Sequence, residues 1–188
     1  MIKVIAFDFV GVIVNEKDTN LSPVEEQLER MFGPNTNDTN YLTAAQKIIN
    51  NESAVITITK SLINKLYKIK DKNIFEKLKK RYSNIKIIVA TNHLSFVRNF
   101  IEDNFNTNYL DDIIISAEIN KIKPNADFYK YILNKYNISA EELLFLDDNN
   151  DNIIGANKLN MNTIKVTKNT NLFSEITKVI NNISKGCD

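Results

Sequence analysis

The sequence predicts an α/β fold: a parallel sheet of about five strands between two helical layers, with a small helical cap inserted after the first strand. Three observations carry that expectation. Short apolar runs rich in Ile and Val recur along the chain, and runs without alternation are the mark of strands buried on both faces. Stretches of helical periodicity separate them, which implies right-handed crossovers and parallel strands. Residues from about 22 to 82 carry only helix-like spacing, so they form a separate lobe over the carboxyl edge of the sheet.

The first strand lies within Ile2–Val14, an apolar run broken by the single carboxylate of Asp8 and then by Gly11. Helical spacing begins at Ser22-Pro23-Val24-Glu25, an N-cap with proline at the first helical position, and Gly33-Pro34 stops that helix. Thr43–Asn50, Leu62–Tyr67 and Asn73–Tyr82 are further helical stretches, whereas Ala54–Thr59 is β-rich and fits a helix less well. Strands then follow at Ile85–Thr91, Asp112–Ser116, Leu143–Leu146 and Thr163–Val166. Helices are expected at Leu94–Asn104, Pro124–Tyr136, after Asp147-Asp148 to about Leu159, and over Leu172–Ile183. The division expected is a core of residues 1–14 and 83–188 and a cap of residues 15–82.

Length and composition narrow the classes. A chain of 188 residues fits one domain, or one with a modest insertion. A net charge of +1 with mixed signs argues against nucleic acid or an anionic membrane as a partner. One cysteine, Cys187, excludes an intrachain disulfide and suits a reducing compartment. There is no leader-like segment and no membrane-length apolar stretch, so a soluble cytoplasmic protein is expected. Asparagine supplies roughly one residue in seven, scattered along the chain as compositional bias would leave it.

Each strand expected at the carboxyl edge ends in, or is followed by, a polar group of a different kind: Asp8, Thr91 with Asn92, Lys123, and Asp147 with Asp148. Alone, Asp8 reads equally well as a turn cap before Gly11. Together, three carboxylates, an ammonium and a hydroxyl describe a site for a hard divalent cation and an anionic substrate, since unscreened carboxylates would otherwise repel. His93, the only histidine, is a candidate substrate contact or proton donor, although a helix-start residue facing solvent is the plainer reading. Glu16, Lys17 and Asp18 read as a solvated hinge, and the lysines between Lys60 and Lys80 as a wetted helix face in preference to an anion funnel. Tyr129 and Tyr131 fit packing.

Four segments in order, Phe7-Asp8-Phe9-Val10-Gly11-Val12, Ala90-Thr91-Asn92, Lys123-Pro124 and Leu146-Asp147-Asp148-Asn149-Asn150-Asp151-Asn152, resemble the motifs of the haloacid dehalogenase-like hydrolase superfamily. The resemblance covers essentially the whole chain. It implies a Rossmann-like core and nucleophilic catalysis in which Asp8 attacks phosphorus and forms an aspartyl-phosphate. It further implies that Thr91 bonds the phosphoryl group and that Lys123 holds Asp8 and the phosphate together. Mg²⁺ would be ligated by Asp8, the Val10 carbonyl and Asp148, with Asp147 as a ligand or an orienting group. Asn92 and His93 would lie near the substrate, a small phosphorylated metabolite. One departure stands out: phosphatases of this family usually carry a second aspartate two residues after the nucleophile, where this chain has Val10. Two alternatives therefore stay open, a catalytically weak binding protein and a metal-independent 2-haloacid dehalogenase. Neither the particular substrate nor the oligomeric state is legible.

Overall fold

The computed structural model describes residues 1–33 and 36–185; Pro34 of the expected helix stop and Cys187 lie outside them. In chain order the elements are β1 (Val4–Phe7), β2 (Val14–Glu16), α1 (Pro23–Glu29), α2 (Asp38–Ala45), α3 (Glu52–Leu66), β3 (Tyr67–Ile69), α4 (Ile74–Arg81), β4 (Lys86–Thr91) and α5 (Val97–Asn104). They continue as β5 (Asp112–Ile115), α6 (Ser116–Ile119), α7 (Ala126–Tyr136), β6 (Leu143–Asp147), α8 (Asn150–Asn157), β7 (Asn162–Lys165) and α9 (Leu172–Lys185).

All five expected core strands form, and they pair in parallel in the order β5-β4-β1-β6-β7. β1 is central. Phe7 sits opposite Val89 of β4 and Leu146 of β6, so the residues just beyond these strands emerge side by side at the carboxyl edge. There the chain departs to either side of β1, the kind of crevice in which open α/β sheets bind ligands.

Alternation across the pleat explains the two helical layers. Ile5, Phe7, Ile87, Val89, Leu144 and Leu146 pack with Phe75 of α4, Ile101 of α5 and Ile176 of α9. Val4, Ala6, Ile88, Ala90 and Phe145 face the other way, onto Phe128 and Tyr129 of α7 and Ala156 of α8. Both faces are thus apolar, as the unalternating runs require.

Several local expectations are corrected. Residues 22–82 are not all helical: Tyr67–Ile69 pairs antiparallel with Val14–Glu16, forming a ribbon at the base of the helical insertion. A three-residue strand is too short for periodicity to reveal. Ala54–Thr59 lies inside α3, where Val55, Thr59, Leu62, Ile63 and Leu66 form one buried face, so burial overrides β-propensity. The helix expected over Thr43–Asn50 instead spans Asp38–Ala45, started by Asn37, whose side chain accepts from the Asn40 N–H at 2.9 Å. Helices begin at Val97 and Ala126, not at Leu94 and Pro124, and the Lys123–Pro124 peptide is cis. α4 lies against the core sheet, with the Phe75 ring 5.7 Å from that of Phe7.

The asparagines are less idle than composition suggests. Asn37, Asn51 and Asn149 cap α2, α3 and α8 through their side chains. Asn120, Asn137 and Asn160 occupy left-handed positions (φ 52°, 51° and 62°) that glycine commonly fills. Among the described residues no helix is long and apolar enough to cross a membrane.

Candidate active site

Asp8 follows β1 directly, and its N–H continues the ladder by donating to the Leu146 carbonyl at 2.8 Å. Its carboxylate is therefore fixed by strand pairing before any side-chain contact forms. Lys123, from the loop between α6 and α7, places Nζ 2.8 Å from Asp8 Oδ1 and 2.8 Å from Asp147 Oδ2. Asp8, Asp147 and Asp148 each bring a carboxylate oxygen within 4.8 Å of the others. Three parts of the chain far apart in sequence thus meet at one rim of the sheet.

The two neighbouring aspartates differ in environment. Asp147 is fully buried and saturated: Oδ1 accepts from the Asn149 N–H at 2.8 Å and Asn152 Nδ2 at 3.1 Å, and Oδ2 from Lys123 and from Asn152 Nδ2 at 3.0 Å. Its geometry is that of a group holding Lys123 in place. Asp148 is instead exposed at its outer side, beside Asp8, with its carboxylate against Gly11 and no hydrogen-bonded side-chain partner among the described residues.

Burial pushes the Asp8 carboxyl up to about 6, while the Lys123 ammonium pulls it down and Asp147 adds to the rise. Burial works against the Lys123 charge too, but Asp8 and Asp147 outweigh it and hold that ammonium above its ordinary value. Asp148 is raised by burial and by Asp147, with Lys165 and Lys123 opposing. Hard oxygen donors in this arrangement suit a small divalent cation: Asp8 and Asp148 are the carboxylates not saturated by the protein.

The loop after Asp8 curls tightly. Ile13 and Val14 N–H groups both donate to the Phe9 carbonyl, at 3.0 and 3.1 Å, and Gly11 N–H donates to Val14 at 2.8 Å. Gly11 has φ +77°, and a β-carbon there would lie 2.0 Å from Asp148 Oδ2. Only glycine lets this loop close against the Asp148 carboxylate. Val10 lies in the same loop and is half-buried.

Thr91 ends β4 and is buried, as expected of a strand-end group at this edge. Asn92 turns away from the site: Oδ1 accepts from the Lys123 N–H at 2.9 Å and Nδ2 donates to the Lys123 carbonyl at 2.8 Å. It clasps the main chain that carries the catalytic candidate. His93 does not face solvent. It is 4% exposed, packed among Phe9, Phe32 and Tyr67. Nδ1 lies 3.2 Å from the Leu94 carbonyl, which can only accept, so Nε2 accepts from the Tyr67 hydroxyl at 2.9 Å. Burial holds its pKa down to about 4, so the ring is neutral and engaged at both nitrogens. The solvent-facing reading fails because helix α5 begins later than expected and leaves His93 in a loop under the helical insertion.

Lys17, in the hinge, donates to the Asn64 carbonyl at 3.0 Å. Lys70, treated in the sequence as part of a wetted helix face, lies just after β3, where its N–H donates to Ile13 at 3.0 Å and its ammonium to the Gly11 carbonyl. Burial pulls its pKa below the ordinary lysine value and Asp148 pulls it back. No periodicity signals this lysine; only the β2–β3 ribbon brings it there. Asn149 and Asn152 orient Asp147, and Tyr67 holds His93; the sequence carries both asparagines only within the last of the four motif segments and gives no sign of Tyr67.

A parallel sheet with a nucleophile candidate after its central strand, a lysine bridging two carboxylates and a third carboxylate beside them defines a hydrolase-type centre of the α/β class. The haloacid dehalogenase-like hydrolase family matches over residues 5–166, and the chain belongs to it. A HAD-like family hydrolase from Porphyromonas gingivalis superposes with a TM-score of 0.75 at 18% identity, covering 96% of this chain and 98% of that one. A HAD family enzyme from Bacteroides thetaiotaomicron, solved with magnesium and inorganic phosphate, gives 0.69 at 15% identity, covering 91% and 97%. In sequence, glyceraldehyde 3-phosphate phosphatase from Methanocaldococcus jannaschii is 36% identical over 61 residues, 32% of this chain and 27% of that protein. The chain spans only 13% of the length of two other curated relatives, drimenol cyclase of Aspergillus calidoustus and bifunctional epoxide hydrolase 2 of Rattus norvegicus.

Proposed function

We propose that this chain is a Mg²⁺-dependent phosphomonoesterase acting on small phosphorylated metabolites, with Asp8 as nucleophile. The observation that carries the reading is the Lys123 ammonium held between Asp8 and Asp147 while Asp148 stays open beside them. In this arrangement Lys123 keeps Asp8 ionised and also offers positive charge to an incoming phosphate.

The ionised Asp8 oxygen attacks phosphorus as the bond to the leaving oxygen breaks, giving an aspartyl-phosphate and an alkoxide that takes a proton from water. Water then attacks the acyl phosphate, releasing inorganic phosphate and regenerating Asp8. Thr91 hydrogen-bonds the phosphoryl oxygens, Lys123 neutralises them, and Asn92 fixes Lys123 through its main chain. The cation would be held by the Asp8 and Asp148 carboxylates and the Val10 carbonyl. When bound, Mg²⁺ supplies charge to the phosphoryl group in flight. Residues 15–82 contribute α1–α3 as a cap over the site, while α4 rests on the sheet.

Val10 leaves the leaving oxygen without an acid at the position that relatives use, an assistance worth about 10²- to 10⁴-fold. Good leaving groups are therefore the preferred substrates. The same residue supports a second reading, a binding protein for phosphorylated ligands with little turnover. The relatives named as phosphatase and as a phosphate complex favour the first.

Phosphate release across a metabolite panel, with and without EDTA, tests both. The phosphatase reading expects release that EDTA suppresses and that Asp8→Asn abolishes. Thermal stabilisation by phosphorylated ligands without any turnover supports the binding reading, and halide release from a 2-haloacid unaffected by chelation sinks both.

A further inference from the structure

Two lysines outside the catalytic set converge on the cation side of the centre. The Lys70 ammonium donates to the Gly11 carbonyl, and that of Lys165, the last residue of β7, donates to the Asp148 carbonyl. Gly11 and Asp148 are themselves in contact, since the Asp148 carboxylate fills the space where a Gly11 β-carbon would stand. The two ammonium groups therefore bond the main chains of two residues that touch, Lys70 from just after β3 and Lys165 from the end of β7. Both are satisfied by main-chain carbonyls, and among the described residues neither forms an ion pair, so neither charge is cancelled by a carboxylate in contact.

The charge count has a consequence. Asp8, Asp147 and Asp148 supply three negative charges, and Lys123, Lys70 and Lys165 supply three positive ones. A centre with Lys123 alone would carry two net negative charges and attract a divalent cation by itself. This one is neutral. Mg²⁺ alone then meets little net attraction and leaves two positive charges in excess, which a phosphate dianion cancels.

Resting on the phosphatase reading, we propose that Lys70 and Lys165 make Mg²⁺ and phosphate bind this centre cooperatively, each ligand weakly held without the other. Linkage requires the coupling to be reciprocal: phosphate tightens Mg²⁺ by the factor by which Mg²⁺ tightens phosphate. Lys70 also ties this coupling to the hinge, because its own position depends on the β2–β3 ribbon.

Isothermal titration of the whole chain with Mg²⁺ alone, with inorganic phosphate alone and with each in the presence of the other tests the proposal without any turnover. The wild type is expected to bind Mg²⁺ more tightly when phosphate is present. Lys70→Met and Lys165→Met should each tighten Mg²⁺ binding in the absence of phosphate by roughly five- to tenfold and weaken phosphate binding in its presence, as removal of a nearby unit charge dictates. Lys70→Arg, which keeps the charge, should behave as wild type. A merely structural lysine predicts the opposite sign, weaker Mg²⁺ binding as the Gly11 loop loosens. Unchanged or weakened Mg²⁺ binding in both methionine variants overturns the inference. If Lys70→Met does not fold, the exposed Lys165 carries the test. A wild type that binds neither Mg²⁺ nor phosphate sinks the functional reading itself, whereas independent binding of the two by the wild type overturns only the coupling.

Discussion

The Asp148 carboxylate lies against the Cα of Gly11, with Oδ2 2.0 Å from where a β-carbon would be. This contact locks the loop that follows Asp8 to the loop that follows β6. Gly11→Ala should cost about 1–2 kcal/mol from the left-handed backbone alone. It should also displace Asp148, so Mg²⁺ affinity should fall together with melting temperature. Titration calorimetry and thermal denaturation check both, and an alanine variant with native Mg²⁺ affinity would refute the contact.

Lys123 is 3% exposed between two carboxylates. Lys123→Met should destabilise the fold by about 3–5 kcal/mol, because Asp8 and Asp147 lose their buried counter-ion. Urea denaturation reads this directly. An Asp147→Asn change in the same background should recover part of the loss.

Asn92 holds the Lys123 main chain by both ends of its amide. Asn92→Ala is expected to lower kcat on an aryl phosphate by about 10²-fold, the usual penalty for a catalytic group displaced by an ångström, with a smaller change in KM. Asn92→Asp, which keeps the acceptor and loses the donor, should fall between the two. Steady-state kinetics on the three proteins distinguishes this from a direct substrate contact, which would move KM first.

Asp8 and His93 give stability slopes of opposite sign over nearly the same pH range. The Asp8 pKa is raised to about 6 from 3.8, so the folded protein keeps a proton that the unfolded chain has released, and stability falls as pH rises from 4 to 6. The His93 pKa is lowered to about 4 from 6.5, so the unfolded chain binds the extra proton, and stability falls as pH drops from 6.5 towards 4. The wild type in EDTA should therefore show a shallow profile. Asp8→Asn should expose a stability rising with pH, and His93→Gln one falling with pH; chemical denaturation at stepped pH reports each.

Tyr67→Phe removes the hydroxyl that donates to His93 Nε2 and leaves a buried acceptor unpaired. The expected loss is about 1–3 kcal/mol of stability, with the His93 ring still buried among Phe9 and Phe32. A calorimetric melt that matches wild type would show that water replaces the hydroxyl.

The five core strands, their parallel pairing and the presence of Asp8, Thr91, Asp147 and Asp148 at one edge were legible in the sequence, because each depends on local apolar runs and on what ends them; Lys123, in the loop after α6, was legible only through its motif with Pro124. Burial on both faces leaves a strand no alternation, and a polar group ends the run; both signals are contiguous. The division of labour was not legible. Asp147 and Asp148 are adjacent and identical in type, yet one is saturated by Asn149, Asn152 and Lys123 while the other faces solvent. Asn92 serves the Lys123 backbone, His93 is sealed under aromatic rings, and Lys70 reaches the Gly11 carbonyl across a short antiparallel ribbon. These roles are set by contacts between residues distant in sequence, whose side chains compete for the same few partners, and only the folded arrangement decides which of them wins.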